Sequence, residues 1–168
     1  MAWIIKLLCV CGAMGAAALL GFSESWKLKL RVRELEDLLR FFQAMEEEIR
    51  YTARPIRWIL SQHQTELPFL AQCEERMQTG ASFAESWQWA VEHTLIHSGL
   101  TSEDRRYLLE FGTSFGILDQ EGQLSSCQMT ICRLTHQLEQ SRQQVAQKGR
   151  LYGSLGILCG AGILLMVV

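Results

Sequence analysis

Two pairs of residues in this sequence come near the type and spacing that metal or thiol chemistry requires. His93 and His97 stand four residues apart, so on a helix both imidazoles could face one metal ion. No third ligand accompanies them, and histidines near the end of a helix are also explained by its dipole. Cys127 and Cys132 are five residues apart, wider than the usual spacing of thiolates on one ion. We interpret both cysteines as core residues, and we expect no metal site and no cofactor.

The motifs of common catalytic sites are also missing from the sequence. It contains no glycine-rich phosphate loop, no nucleophile elbow and no candidate catalytic triad. With 16 basic and 18 acidic residues, its net charge of −2 does not indicate a nucleic-acid surface. We therefore expect a protein that is not an enzyme and has no nucleic-acid partner.

The most apolar segments are the two ends of the sequence. Residues 1–22 are interrupted only by Lys6, and residues 151–168 contain no charged side chain. As a helix at ~1.5 Å per residue the second segment would cover ~27 Å, close to the ~30 Å hydrocarbon core of a bilayer. We predict transmembrane anchors at residues 1–23 and 151–168, with one domain, residues 24–150, between them. Cleavage of the first segment as a signal peptide stays open.

Basic residues indicate the side of the bilayer on which the central domain lies. They are concentrated on the inner flanks of the two apolar segments: Lys27, Lys29, Arg31, Arg33, Arg142, Lys148 and Arg150. The positive-inside rule therefore places residues 24–150 in the cytoplasm. Basic residues next to a bilayer are also expected to attract anionic head groups, at ~1 kcal/mol each.

Three glycines of the second apolar segment share one helix face: Gly153, Gly156 and Gly160. Gly156 and Gly160 have the spacing of small residues that lets membrane helices approach closely. We predict that this face packs against the first anchor or against an anchor of a neighbouring protein. A homo-oligomer is one arrangement of this kind.

Residues 24–150 have the sequence pattern of a helical bundle. Apolar residues recur every three or four positions over residues 24–52, and proline, glycine and capping residues divide the remainder into shorter helices. Ser82 with Glu85, and Thr101 with Asp104, have the spacing of capping boxes. The predicted helices cover residues 24–52, 55–63, 68–80, 82–98, 101–118 and 120–149. The predicted fold class is all-α, a six-helix cytoplasmic bundle between an N-terminal and a C-terminal transmembrane helix.

Two glycines inside the fifth predicted helix need a compensating interaction. Gly112 and Gly116 each cost ~1 kcal/mol relative to alanine in a helix. We expect another helix to approach closely at these positions. On the preceding helix Phe83 and Trp87 share a face, which predicts that both rings pack in the core.

The turn after the first helix combines residue types that often carry interface energy. It contains Tyr51, Arg54, Arg57 and Trp58, and a helix that leaves the membrane before residue 24 would hold this turn ~40 Å from lipid. Tyr, Trp and Arg are the commonest hot-spot residues, at ~2 kcal/mol or more each. We predict a partner-binding site here, although Tyr51 and Trp58 could instead cover the end of the bundle.

Four stretches, taken in order and at their spacing, resemble the stage III sporulation protein AB family. They are EIRYTARPI at residues 48–56, ASFAESWQWA at 81–90, FGTSFGILDQEGQ at 111–123 and LYGSLGILCGAGILL at 151–165. The similarity covers nearly the whole sequence. None of these stretches is specific alone, but their ordered combination is.

The resemblance implies a function that composition and spacing do not indicate. Members of this family are similar to F-type platform proteins of type II secretion and type IV pilus systems, whose domains are six-helix bundles. It implies a platform component of the secretion-like channel complex between mother cell and forespore, in the mother-cell membrane that faces the forespore. The implied partners are other proteins of that complex, including a cytoplasmic ATPase. The alternative is a membrane-tethered adaptor or sensor unrelated to sporulation.

Overall fold

The computed structural model describes the backbone of residues 2–167 and the side chains of residues 26–148, in both cases without residues 53 and 116. This described part contains no β-strand and six α-helices: α1 Ala2–Tyr51, α2 Ile56–His63, α3 Pro68–Gln78, α4 Phe83–Thr94, α5 Ser102–Ser114 and α6 Gln120–Val167. A 3-10 turn, Leu95–His97, follows α4. The predicted all-α class and the number of helices are confirmed.

The predicted membrane anchors are not tested by the described side chains. Over residues 26–148, leaving out 53 and 116, there is no helix long and apolar enough to cross a membrane. The segments 1–23 and 151–168, with Gly153, Gly156 and Gly160, lie outside the residues whose side chains are described. Both anchors and the glycine face stay predictions.

The helix starts follow from local hydrogen bonds that the sequence encodes. In the first capping box the Ser82 hydroxyl accepts the Glu85 N–H at 3.3 Å, and the Glu85 carboxylate accepts the Ser82 N–H at 3.1 Å. Thr101 and Asp104 form the second box at 3.2 and 2.8 Å. Because each box satisfies two backbone donors that the helix leaves unpaired, α4 and α5 begin where the sequence predicts.

Two helix ends differ from the prediction. Helix α4 ends at Thr94 and tightens into the 3-10 turn instead of continuing to residue 98. Helix α5 ends at Ser114 rather than at residue 118, because Phe115 takes an extended conformation with ψ 129°. The shorter α5 leaves residues 115 and 117–119 outside the helices, at one end of the bundle.

The helices form a closed ring around Trp87. Each helix contacts the next one along the chain, and α6 returns to lie beside α1. The Trp87 indole is fully buried, and its Nε1–H donates to the Leu108 carbonyl at 2.7 Å. Five phenylalanine rings surround it, those of Phe41, Phe42, Phe69, Phe83 and Phe111. The predicted core positions of Phe83 and Trp87 are therefore confirmed.

Gly112 allows this arrangement. A Cβ atom at this position would lie 2.2 Å from Cδ1 of Trp87, far inside van der Waals contact. The predicted close approach of another helix is thus confirmed for Gly112, where the indole from α4 lies directly on the α5 backbone. Gly116 lies outside the described residues.

The long contact between α1 and α6 sets the direction of the bundle. The two helices are antiparallel, since Gln128 bonds to Glu46 at 2.9 Å and Arg142 bonds to Glu36 at 2.7 Å. Side chains near residues 26 and 148 therefore lie at the same end, which we call the anchor end. The opposite end, with Tyr51 and residues 115 and 117–119, is the distal end, where the Gln120 amide donates to the Ile49 carbonyl at 2.8 Å.

One of the two cysteine assignments is wrong. Cys127 is buried as predicted, but Cys132 is exposed. The buried face of α6 follows Cys127, Leu134 and Leu138, and position 132 lies off that face. A residue five positions after Cys127 lies on a different face of the helix, so the Cys132 side chain faces solvent.

Candidate partner-binding site

The distal turn between α1 and α2 is held by backbone geometry that the sequence dictates. The Thr52 N–H donates to the Glu48 carbonyl at 3.0 Å, which completes the last turn of α1. Pro55 has φ −59° and ψ 138°, so it precedes α2 in an extended conformation. The Trp58 N–H then donates to the Pro55 carbonyl at 2.9 Å and starts α2. The turn presents four predicted site residues within eight positions of sequence.

Arg54 and Trp58 form a stacked pair on the surface of this turn. The guanidinium carbon of Arg54 lies 4.0 Å from the centroid of the Trp58 ring, within the range of a cation–π contact. Its Nε lies 3.8 Å from the Glu48 carboxylate. Trp58 remains 38% exposed and the Arg54 side chain 47% exposed. Both groups are thus ordered by each other and still available to a partner.

Tyr51 extends this surface at the end of α1. Its side chain is 78% exposed, so it does not cover the bundle end as the alternative interpretation required. Two further apolar side chains at the distal end are exposed, Ile117 at 82% and Leu118 at 40%. These two were missed from the sequence because residue 118 was assigned to α5. Adjacent aliphatic residues just before the Asp119 cap were the available signal.

Arg57 is the predicted site residue with a different role. Its guanidinium donates to the Met77 carbonyl at 2.7 Å, in the last turn of α3. A cation at that place satisfies one of the carbonyls that a helix end leaves unpaired. Arg57 therefore joins α2 to α3 as well as carrying surface charge.

A shallow groove runs beside the stacked pair toward the bundle core. It encloses about 210 Å³, and Arg54, Ile56, Phe83 and Phe115 are among its lining residues. The groove is open at the surface, and most of its lining side chains are apolar. Such a recess, next to exposed aromatic and cationic side chains, is the geometry in which an interface anchor residue is accommodated.

The first carboxylate of the acidic run, that of Glu46, is paired. Glu46 accepts hydrogen bonds from Gln128 at 2.9 Å and Arg50 at 2.7 Å, and these bonds lower the pKa of its carboxyl group. The sequence left open whether this run is a solvated face or pairs with Arg50. The structure shows the pairing for Glu46.

A second polar cluster, not predicted from the sequence, lies buried toward the anchor end. Arg31 donates to both carboxylate oxygens of Asp104, at 2.9 and 3.0 Å, and to the Gln137 side chain at 2.8 Å. Asp104 is fully buried and Arg31 is 8% exposed. The expectation that Arg31 faces lipid head groups is therefore wrong, because its charge is used to connect α1, α5 and α6.

The two histidines do not take part in a metal centre within the described side chains. In that part of the chain no group of three or more His, Cys, Asp or Glu residues could hold an ion. The His93 ring instead stacks on Trp89, with centroids 4.5 Å apart, and its Nδ1 lies 2.9 Å from the Trp89 carbonyl. His97 belongs to the 3-10 turn and is exposed.

Comparison with known proteins identifies the family. The family model described as stage III sporulation protein AB matches residues 6–168. This chain belongs to that family. The stage III sporulation protein AB of Bacillus subtilis (strain 168) is 22% identical over 171 residues, covering 98% of this chain and all of that protein. The resemblance noted in the sequence is thereby confirmed, and the chain is a sporulation protein of the stage III AB type.

A solved structure shows that the fold is shared as well. The structure of a stage III sporulation protein AB (SpoIIIAB) superposes with a TM-score of 0.65 at 20% identity. The match covers 70% of this chain and 97% of that one. At this identity the likeness supports the helical fold of the family member described here.

Proposed function

We propose that this chain is a membrane platform of the sporulation envelope complex that connects mother cell and forespore. In this proposal residues 1–23 and 151–168 anchor it in the mother-cell membrane facing the forespore, and residues 24–150 lie in the cytoplasm. The bundle binds a cytoplasmic ATPase together with other proteins of the same complex. The chain itself acts by binding and catalyses no reaction.

The observation that carries the proposal is the difference between the two ends of the bundle. Side chains at residues 26 and 148 lie at the anchor end, next to the two apolar segments. Trp26 is exposed at the anchor end, where an interfacial aromatic beside a membrane segment is expected, whereas Tyr51, Trp58 and Ile117 are exposed at the distal end, away from both apolar segments. A tether at one end turns the other end toward the cytoplasm, which is where a soluble motor protein would meet it.

The non-catalytic role is supported by the chemistry of the described side chains. Burial raises the pKa of the Cys73 and Cys127 thiols to about 12 in each case, so neither forms a thiolate nucleophile at neutral pH. The remaining described cysteine, Cys132, is on the surface of α6. Family membership argues against the alternative of an adaptor or sensor unrelated to sporulation.

Charge reversal at Arg54 tests the partner site with a close control. Arg54→Glu removes the cation from Trp58, whereas Arg57 is left intact because it bonds to Met77. Arg106→Glu is the control, since Arg106 is also exposed, lies 3.6 Å from Glu110 and lies 5.4 Å from the Tyr107 ring centroid. Surface pairs of this kind contribute ~0–1 kcal/mol, so both variants should stay folded.

The expected result separates the two variants by partner recovery. Arg54→Glu should reduce recovery of the ATPase in co-purification from sporulating cells by tenfold or more, a loss of ~1.4 kcal/mol. It should also block spore formation after engulfment, while Arg106→Glu behaves as the unmodified protein. Normal ATPase recovery and spore yield with Arg54→Glu would show that the distal turn is not the partner site.

The exposed Cys132 makes the predicted topology testable without an engineered residue. If the bundle is cytoplasmic, a membrane-impermeant maleimide should label Cys132 only after permeabilisation. Cys132→Ser gives the background from the other cysteines. Labelling of Cys132 in intact cells would contradict the cytoplasmic placement.

A further inference from the structure

An apolar groove lies between α1 and α6 at the anchor end. Its floor is formed by Val32, Val145 and Ala146, and Lys29 and Arg142 stand at its edges. It encloses about 230 Å³ and is open to solvent along the two helices. The groove therefore combines an open aliphatic floor with two cations at its margin.

The groove begins just beyond the level of the head groups. Lys29 and Val145 are each ~9 Å along their helices from residues 23 and 151, and Val32 and Arg142 are ~14 Å from them. Each polar layer of a bilayer extends ~5–8 Å beyond the hydrocarbon core. If the two anchors span the membrane, the groove borders the cytoplasmic head-group layer on both helices.

The charges at its edges have unused binding capacity. No described side chain pairs with the Lys29 ammonium group, and Lys29 is exposed. Arg142 donates through Nη2 to Glu36 at 2.7 Å, yet its side chain is 58% exposed. Since a guanidinium carries five N–H donors, Arg142 can bind a phosphate oxygen while it keeps Glu36.

We propose that this groove binds one anionic phospholipid. The phosphate lies between Lys29 and Arg142, and the first part of an acyl chain covers Val32, Val145 and Ala146. A peptide is a poorer occupant, because an aliphatic floor offers no hydrogen-bond partner to its backbone. The inference rests on the proposed membrane anchoring, and it adds a specific lipid site to that function.

The site can be tested by lipid titration of the full chain in detergent micelles, followed by native mass spectrometry. The probes are phosphatidylglycerol and phosphatidylcholine with the same acyl chains. Lys29→Gln with Arg142→Gln should weaken binding of phosphatidylglycerol about 30-fold, because two cations at ~1 kcal/mol each correspond to that factor. Phosphatidylcholine binding should stay unchanged.

The matched control removes two cations from the same helices further from the anchors. Arg40 lies ~16 Å along α1 from Lys29, and Arg133 lies ~14 Å along α6 from Arg142. Arg40→Gln with Arg133→Gln should change phosphatidylglycerol binding less than threefold. Free glycerol phosphate at the same concentration should not displace the lipid, because it has no acyl chain to cover the floor.

Ala146→Phe supplies a second test that leaves every charge in place. Ala146 is exposed, so the larger ring fills the groove without disturbing the core. It should lower binding of phosphatidylglycerol at least tenfold. Unchanged lipid binding with Ala146→Phe, equal losses in test and control doubles, or dimerisation through the groove would each overturn the proposal.

Alkaline extraction of cell membranes distinguishes this inference from the proposed function. A chain that is extracted as a peripheral protein would overturn both the anchors and the lipid site. A chain that stays in the membrane but shows no preference for phosphatidylglycerol would overturn the lipid site alone.

Discussion

One residue of α1 forms an arginine–carboxylate pair near each end of the bundle, and the two pairs differ in burial. Arg31 contacts Asp104 at 2.9 Å, with side-chain exposures of 10% and 0%. Arg54 lies 3.8 Å from Glu48, with exposures of 47% and 22%. The first pair joins residues that are 73 positions apart in sequence, whereas the residues of the second are only six positions apart.

This difference separates a residue that specifies the fold from one that is available for binding. Desolvating Arg31 and Asp104 is costly, and the cost is offset only because the guanidinium bonds both carboxylate oxygens and Gln137. Removing one partner would leave a buried charge. The Arg54 pair stays hydrated and is exchanged for another partner at little cost. An arginine–carboxylate pair therefore stabilises the fold at the anchor end, whereas a pair of the same residue types remains available for binding at the distal end.

The largest expected effect follows from removing the buried carboxylate. Asp104→Ala leaves the Arg31 charge without its partner and also removes the capping box of α5. We expect the free energy of unfolding to fall by ~3–5 kcal/mol, as for other broken buried ion pairs. Urea denaturation of the full chain in detergent, followed by circular dichroism, measures the loss.

Glu103→Ala is the control for this variant. Glu103 is the preceding residue on α5 and is exposed. Its carboxylate accepts a hydrogen bond from the Tyr107 hydroxyl at 2.6 Å, on the surface of the helix. Its replacement should change stability by ~0.5 kcal/mol or less. Similar losses for both variants would mean that the buried pair does not hold the three helices together.

An intermediate effect is expected inside the distal turn itself. Arg57→Ala removes the bond to the Met77 carbonyl and should lower the free energy of unfolding by ~1 kcal/mol. Arg54→Ala removes only surface contacts, the stacking on Trp58 and the ion pair with Glu48, and should cost ~0.5 kcal/mol or less. The same urea titration compares them. A larger loss for Arg54→Ala would reverse the roles assigned to these two arginines.

Local sequence signals predicted most of the helix boundaries. A capping box is read within four residues, so the starts of α4 and α5 could be predicted without knowledge of the fold. The end of α5 could not. Phe115 turns to an extended conformation where its ring packs 5.2 Å from Phe83, a contact between helices that no local pattern encodes.

In the candidate site, too, nearby sequence predicts which residues are exposed, but it does not predict contacts between residues that are far apart in sequence. Residue type and the proline predicted that Tyr51, Arg54 and Trp58 lie exposed at a turn. The bond from Arg57 to Met77 spans 20 residues, and that from Arg31 to Asp104 spans 73. The sequence places Arg31 among the basic residues that flank the first apolar segment. Its direction is decided by Asp104 on α5, a residue that is distant in sequence.

The smallest expected effect concerns Glu34. Its side chain is less buried than the Arg31–Asp104 pair and more buried than the Arg54–Glu48 pair. Its carboxylate accepts the Gly99 N–H at 2.7 Å beside the Arg31 network. Burial raises the pKa of this carboxyl group above its ordinary value of 4.5, and the negative charges of Asp37 and Asp104 act in the same direction. The backbone N–H groups of Gly99 and Leu100 oppose the rise without cancelling it.

The sign of the pH dependence follows from this raised pKa. Between 4.5 and the raised value the folded state binds more protons than the unfolded state, so the free energy of unfolding falls as pH increases. Glu34→Gln keeps a side-chain acceptor for Gly99 but cannot ionise. We expect the variant to gain stability relative to the unmodified protein as pH rises through this range. Urea titrations at successive pH values measure that difference, and Glu47→Gln, an exposed change on the same helix, gives the background. A difference that is constant with pH would show that Glu34 is as well solvated in the folded chain as in the unfolded one.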